Sequence, residues 1–307
     1  MYRIGVVGLG LRNPYTYASL LNKMNARIDF VWDYSAENAQ EFADQFGCRR
    51  IVDLSAFPYD EVDGILVESK NHDHCRHAGP FIDRGIPVFI EKPLSNDCRE
   101  ALAFLKLHAG KPVFSCSPLR FSETYASMRA AIEEQSSGRS SCCRVIVLHT
   151  MEHFLTDPLR AWHDRQAEGG GMLVDIGIHA VELLNMFMRG DPVLITRHSA
   201  RSYYGQAESY DLNHVALSYQ DHSIGQFTLL CATNELDYAV DVYNRDYTYR
   251  NNRDHPFIPS AGTPEDAYGG FRGTMAAFLD MVRTGKVPLS PQETIRNFGL
   301  LQRILVA

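Results

Sequence analysis

Short apolar runs alternate with helix-patterned segments through the first third of the chain, and this rhythm restricts the fold more than any other feature. Ile4–Val7, Ile28–Trp32, Ile65–Val67, Val88–Ile90 and Val113–Phe114 lack polar alternation, so they read as strands buried on both faces. Between them Ala36–Phe46, His74–Arg84 and Arg99–His108 carry helical spacing, with Asn96 placed to cap the last. Strands covered on both faces and joined through helices form a parallel sheet with right-handed crossovers. The expected architecture is therefore α/β, opening with a doubly wound domain over residues 1–120.

The pattern changes after Pro118. Glu123–Glu134 reads as a helix, a loop rich in serine, glycine and arginine follows at 136–141, and Val145–Leu148 reads as a strand. Alternating β-formers at Val215–Tyr219, Ile224–Leu229 and Tyr238–Tyr243 indicate antiparallel strands with one face dressed by polar and aromatic side chains. Gly273–Arg283 and Thr294–Leu305 close the chain as helices, the second a candidate to return to the first domain. Residues 121–307 thus predict an α+β domain with a large open, mostly antiparallel sheet, and 307 residues suit two domains.

A net charge of −7 provides no electrostatic footprint for nucleic acid or anionic lipid. The seven cysteines include no C-x-x-C pair and match neither a zinc knuckle nor a disulfide framework. The opening residues show no signal-peptide pattern, and no apolar run approaches the roughly 20 residues of a spanning helix. A reducing cytoplasm is the expected compartment.

Gly8-Leu9-Gly10 stands between the first strand and an apparent helix, where backbone amides and a helix N-terminus can meet a pyrophosphate. Asp33 ends the second strand at the distance of about 20 residues where a carboxylate accepts from ribose hydroxyls, which favours NAD over NADP. Asn13 occupies the place of the third glycine, and Pro14 follows, so an altered pyrophosphate loop is expected. A strand–helix turn that binds nothing is the plainer alternative.

Two further motifs carry chemistry. Glu91-Lys92-Pro93 follows the strand Val88–Ile90, at the edge where doubly wound sheets hold ligands, and a lysine there can polarise a carbonyl or stabilise an alkoxide. The plainer alternative is a surface lysine paired with Glu91. Farther on, Gly169-Gly170-Gly171 precedes an apolar helical run over Leu173–Met186 that places Asp175 and His179 one turn apart. That spacing suits an imidazole acid/base and a carboxylate that orients it, or else a mutually satisfied core pair.

Together these motifs resemble the Gfo/Idh/MocA oxidoreductase family across essentially the whole chain. The resemblance implies a Rossmann domain plus an open-sheet domain, and hydride transfer at a carbinol carbon of a sugar, cyclitol or related polyol. It implies Lys92, Asp175 and His179 as the catalytic set. Cofactor contacts are implied for Gly8, Gly10, Leu11, Asn13, Asp33, Ser69, Asn71, His74, Glu91 and Lys92. The sequence departs from the family at Asn13 and at Ser69-Lys70, where Lys70 replaces the usual proline.

His153, Arg160, Trp162 and His163 precede the glycine triplet and are the candidate substrate contacts, since arginine and tryptophan grip and stack polar rings. Histidines at 72, 74, 77, 149 and 153 raise a metal site, but no paired-carboxylate or H-E-x-x-H motif accompanies them, and none is expected. Tyrosines at 203, 204, 238, 243, 247 and 249 are assigned to the outer sheet face or a subunit interface, which predicts a homodimer or homotetramer. Two rival readings stay open: a non-catalytic sugar or dinucleotide sensor on the same fold, and a metal-dependent hydrolase or lyase.

Overall fold

The computed structural model describes residues 1–11, 13–135, 140–257 and 269–307. Its first sheet holds β1 (Tyr2–Val7), β2 (Ala26–Trp32), β3 (Arg49–Arg50), β4 (Gly64–Val67), β5 (Val88–Ile90) and β6 (Val113–Ser115). The order is β3-β2-β1-β4-β5-β6 and every neighbouring pair is parallel. Strand order reverses between β1 and β4, so the loops beyond their carboxyl ends open the crevice that such sheets offer to a ligand. Helices α1 (Asn13–Asn22), α2 (Ala36–Phe46), α3 (His74–Asp83) and α4 (Cys98–Leu107) form the crossovers. The edge strand β3 escapes a reading of periodicity because two residues have no period.

Asp97, not Asn96, caps α4: its carboxylate accepts the Arg99 N–H at 2.7 Å. The Asn96 amide instead donates to the carbonyls of Gln166 and Ala167, tying this loop to the segment before the glycine triplet.

The second sheet contains β7 (Cys142–Thr150), β8 (Pro192–Ala200), β9 (Leu212–Tyr219), β10 (Ile224–Leu230), β11 (Ala232–Tyr243) and β12 (Thr248–Asn251). Its order is β12-β11-β7-β10-β9-β8, with β7 and β10 parallel and the remaining pairs antiparallel. The helical segments of this half are α5 (Glu123–Gln135), α6 (Glu152–Thr156), α7 (Gly171–Asp175), α8 (Gly177–Phe187), α9 (Phe271–Thr284) and α10 (Pro291–Leu305). Val145, Val147, Val215, Leu217, Phe227 and Leu229 are fully buried on the inner face, where α8 packs. Residues 136–139 of the expected polar loop lie outside the described residues.

The expected helix Leu173–Met186 is two helices, α7 and α8, meeting at Ile176. The cause is a diverted carbonyl. Lys92 Nζ donates to the Asp175 backbone oxygen at 3.0 Å, and the His179 N–H goes to Ile176 O at 3.1 Å instead.

Both closing helices touch the first domain. The aromatic face of α9 packs beside α1, with Phe271 edge-on to Tyr17 at 5.3 Å and Phe278 against Gly64 of β4. The last helix, α10, lies against α4 and α8 and so spans both halves. Among the described residues no helix is long and apolar enough to cross a membrane. Phe278 is fully buried, so Phe278→Ala should cost about 3–5 kcal/mol, read as a lower denaturant midpoint; an unchanged midpoint would mean α9 is not part of this core.

Candidate functional site

A cleft of about 1050 Å³ runs from the Gly8-Leu9-Gly10 turn across the ends of β4 and β5 to the second sheet. At its first end Gly8 has φ +91°, and a Cβ there would lie 2.3 Å from Ser69 Cα, so only glycine allows the two loops to touch. Asp33 accepts the Leu9 N–H at 2.7 Å and the Ser35 N–H at 2.8 Å. Each carboxylate oxygen keeps acceptor capacity beyond those bonds. Burial pushes the Asp33 pKa up, against the three backbone N–H donors around it. Gly10, Leu11, Asn13 and Ser69 line this end, and the Asn13 side chain hydrogen-bonds Glu91. A preformed turn, an acidic strand end and an open crevice fit a dinucleotide.

Three expected cofactor residues are arranged differently. Gly8 shapes the turn but does not line the cleft. His74 is 1% exposed, with its ring nitrogens 2.8 Å from Pro93 O and Ser69 O, so it braces two loops from behind. Burial lowers its pKa to about 4. Asn71 is also buried and donates to Gly169 O and to Asp175 Oδ1. Lys70 pairs with Glu168 at 2.6 Å, so this departure from the family pattern ties the first domain to the triplet segment.

Lys92 is 7% exposed and follows β5 through a cis peptide to Pro93. Its ammonium lies 3.0 Å from Asp175 O and 3.5 Å from Asp175 Oδ1, which rejects the surface-lysine alternative. Glu91 is not its ammonium's partner. That carboxylate accepts the Tyr17 hydroxyl at 2.9 Å and the Lys92 backbone N–H at 3.0 Å. Behind it the fully buried Glu68 carboxylate has no hydrogen-bond partner among the described residues, and burial with the nearby Glu91 holds its pKa well above the carboxylate range.

The expected Asp175–His179 pairing does not form. The Asp175 carboxylate takes His163 Nδ1 at 2.7 Å, and the kink at Ile176 separates it from the next turn. Burial by itself would raise the Asp175 pKa, but Lys92, His163 and Asn71 together hold it well below the usual range. His179 has Ser117 Oγ at 2.6 Å from Nδ1, leaving Nε2 to the cleft. Burial and the Lys92 cation push the His179 pKa well down, so the resting imidazole is neutral. Tyr238, expected on the outer sheet face or at a subunit interface, instead lies edge-to-face with His179 at 5.1 Å.

His153, Arg160, Trp162 and His163 all line the far end of the cleft. Trp162 stacks on His163 at 3.6 Å, and Phe154 stacks on the same imidazole at 4.3 Å. Burial lowers His153 to about 4. The histidines at 72, 74 and 77 do not converge: His77 turns to Ser69 Oγ and Tyr34, away from the His74 contacts. Ser117 and Glu182 border His179 yet were not foreseen, because their hydrogen bond to each other and that of Ser117 to His179 join residues distant in sequence. Glu182 stands three residues beyond His179 and accepts the Ser117 N–H at 2.9 Å.

A parallel nucleotide-binding sheet whose crevice is closed by a second, open-sheet domain defines the class of two-domain nicotinamide oxidoreductases. The chain belongs to the Gfo/Idh/MocA family. Residues 2–116 match the model of an oxidoreductase family with an NAD-binding Rossmann fold, and residues 125–246 match the Gfo/Idh/MocA C-terminal domain. An inositol 2-dehydrogenase of Rhodococcus erythropolis is 31% identical over 143 residues, which is 45% of this chain and only 41% of that protein. A 1,5-anhydro-D-fructose reductase of Ensifer adhaerens is 26% identical over 251 residues, covering 79% of this chain and 73% of its own length. The WlbA dehydrogenase of Bordetella pertussis, solved with NADH and UDP-GlcNAcA, shares the fold with a TM-score of 0.82 at 18% identity, over 99% of this chain and 94% of that one.

Burial raises the Glu182 carboxyl from 4.5 to about 7, against the Ser117 N–H and Arg120. A raised acid contributes stability that is complete below its unfolded pKa and lost as pH rises through the folded value. Glu182→Gln removes this titration. Between pH 4.5 and 8 its unfolding free energy should therefore gain on wild type by on the order of 3 kcal/mol, measured by denaturant titration. Parallel stability curves would reject the assignment.

Proposed function

We propose that the protein is an NAD-dependent oxidoreductase that moves a hydride at a carbinol carbon of a sugar, cyclitol or related polyol. The observation that supports it most is the convergence of Lys92 and His179 Nε2 on one cleft with the Gly8–Gly10 turn and Asp33. Gly10, Leu11, Asn13, Ser69 and the Asp33 carboxylate would hold the dinucleotide, and Asp33 would repel a 2′-phosphate. The nicotinamide, when bound, supplies the hydride acceptor or donor.

Lys92 places its ammonium where a carbinol or carbonyl oxygen is polarised, and the Asp175 oxygens fix its direction. A neutral His179 can take the hydroxyl proton at Nε2 and return it in the reverse direction. Asp175, saturated by Asn71, Lys92 and His163, acts as the positioning carboxylate. His153, Arg160, Trp162 and His163 bind substrate in this reading. His163 Nε2 is buried without a partner among the described residues and suits a substrate hydroxyl. Residues 1–120 hold the cofactor and 121–307 the substrate. All seven cysteines are unpaired, which supports a reducing cytoplasm.

Titration with NADH, followed by fluorescence, should show binding, and no binding at millimolar cofactor would reject the reading. Inositols, hexoses and their keto forms, followed at the nicotinamide absorbance band, should identify a substrate. Lys92→Ala and His179→Ala should then each lower kcat by about 10²–10⁴-fold with little change in cofactor affinity. Binding of cofactor and sugar without turnover in either direction would instead mark a sensor.

The second sheet leaves Val193 65% and Leu194 57% exposed on its edge strand β8, and Ile224 of β10 is 48% exposed. Apolar side chains gathered on one sheet favour a subunit contact, so the protein assembles as a homodimer or homotetramer in this reading. Light scattering at micromolar concentration should give at least twice the monomer mass; a stable monomer would overturn the assembly.

A further inference from the structure

Exchange of a proton at His179 Nε2 leaves the other ring nitrogen to be accounted for. Ser117 Oγ is 2.6 Å from Nδ1 and accepts the Leu119 N–H at 3.2 Å. Ser117 itself is fully buried. A hydroxyl has one hydrogen to give, and among the described residues His179 Nδ1 is its sole acceptor in reach. A buried hydroxyl hydrogen left unpaired is costly. The serine backbone is held by Glu182 Oε2 on its N–H at 2.9 Å and by the Arg120 N–H on its carbonyl at 3.0 Å, and the Leu119 N–H holds Oγ itself.

We propose that Ser117 is the positioning residue for His179: its hydroxyl donates to Nδ1 and so keeps the resting imidazole hydrogen on Nε2, toward the cleft. This rests on the reading of His179 as the acid/base. Oxidation draws on the minor tautomer with its hydrogen on Nδ1: its free Nε2 takes the carbinol proton, while the carbinol hydrogen leaves with its electron pair as the hydride that the nicotinamide would accept. The resulting imidazolium donates from Nδ1 to Ser117 Oγ and from Nε2 to the substrate oxygen; reduction returns the Nε2 proton to that oxygen. A carboxylate in the place of Ser117 would accept from Nδ1 only, and would also stabilise the imidazolium. A hydroxyl that accepts from Nδ1 leaves its own hydrogen without an acceptor among the described residues, so Ser117 favours the Nε2–H tautomer, and does so without adding negative charge. The titratable and charged groups whose fields reach the ring are Lys92 beyond β5, His149 of β7 and Asp175 of α7, Tyr238 of β11 packs on it, and Glu182 on its own helix acts through Ser117.

Nitrogen-15 histidine NMR of the cofactor-free protein reads the tautomer directly, with His179→Gln identifying the signal. Wild type and Ser117→Thr should show the hydrogen on Nε2 at neutral pH, and Ser117→Ala should show a mixture. In the reductive direction, where Nε2–H faces the carbonyl oxygen, Ser117→Ala should lower kcat by about twofold or more with KM nearly unchanged and should move the pH midpoint, with Ser117→Thr restoring both. Wild type with its hydrogen on Nδ1, or a Ser117→Ala protein unchanged in tautomer and pH profile, would overturn the proposal. Absence of turnover in wild type would reject the proposed activity, while the NMR result would still decide the role of Ser117.

Discussion

Asp175 is a carboxylate with no exposed surface, and the site is organised around the cost of keeping it charged there. Three partners meet that cost: His163 Nδ1 at 2.7 Å, the Asn71 amide at 3.1 Å and the Lys92 ammonium at 3.5 Å. They arrive from the loop after β4, the end of β5 and the segment before the glycine triplet. A buried ion pair adds little net stability over an apolar packing, but loss of one partner strands the other charge. The arrangement therefore fixes the relative position of the two domains at the cleft, whatever it adds to their stability.

The local backbone follows from that cluster. Lys92 takes the Asp175 carbonyl out of the helical ladder, and the chain kinks at Ile176 before resuming as α8. The kink turns His179 away from Asp175 and toward Ser117, on the loop that leaves β6. The triplet before α7 is packed too closely for side chains: at Gly170, with φ +83°, a Cβ would lie 2.8 Å from Asn96 O. Asn96 and Lys70 fasten the adjoining segment to the first domain through Ala167 and Glu168. One carboxylate thus accounts for the lysine's direction, the helix break and the orientation of the imidazole.

Much of the fold was legible because it rests on short-range patterns. Two-sided apolar strands such as Ile65–Val67 and Val88–Ile90 announce a parallel sheet, and the alternation in Val215–Tyr219 announces a sheet with unlike faces. The site was legible only as a set of members. Lys92, Asp175, His179 and His163 all reach the cleft, yet their pairing differed from the spacing argument, because a separation of four residues implies contact only on an unbroken helix. Ser117 and Glu182 left no local signal, since a serine before a proline reads as a turn and a glutamate on an apolar helix reads as a solvated face.

The sequence by itself determined the doubly wound first domain, the open second sheet and the acidic end of β2 beside the glycine turn, since each depends on residues close together in the chain. Tertiary structure alone decided which groups face one another. Asp175 joined His163 and not His179, Lys92 left Glu91 for a carbonyl 83 residues away, and Ser117 took His179 across 62 residues. The physical reason is desolvation: a buried charge or imidazole must find its partner wherever packing brings one, and periodicity carries no record of that choice.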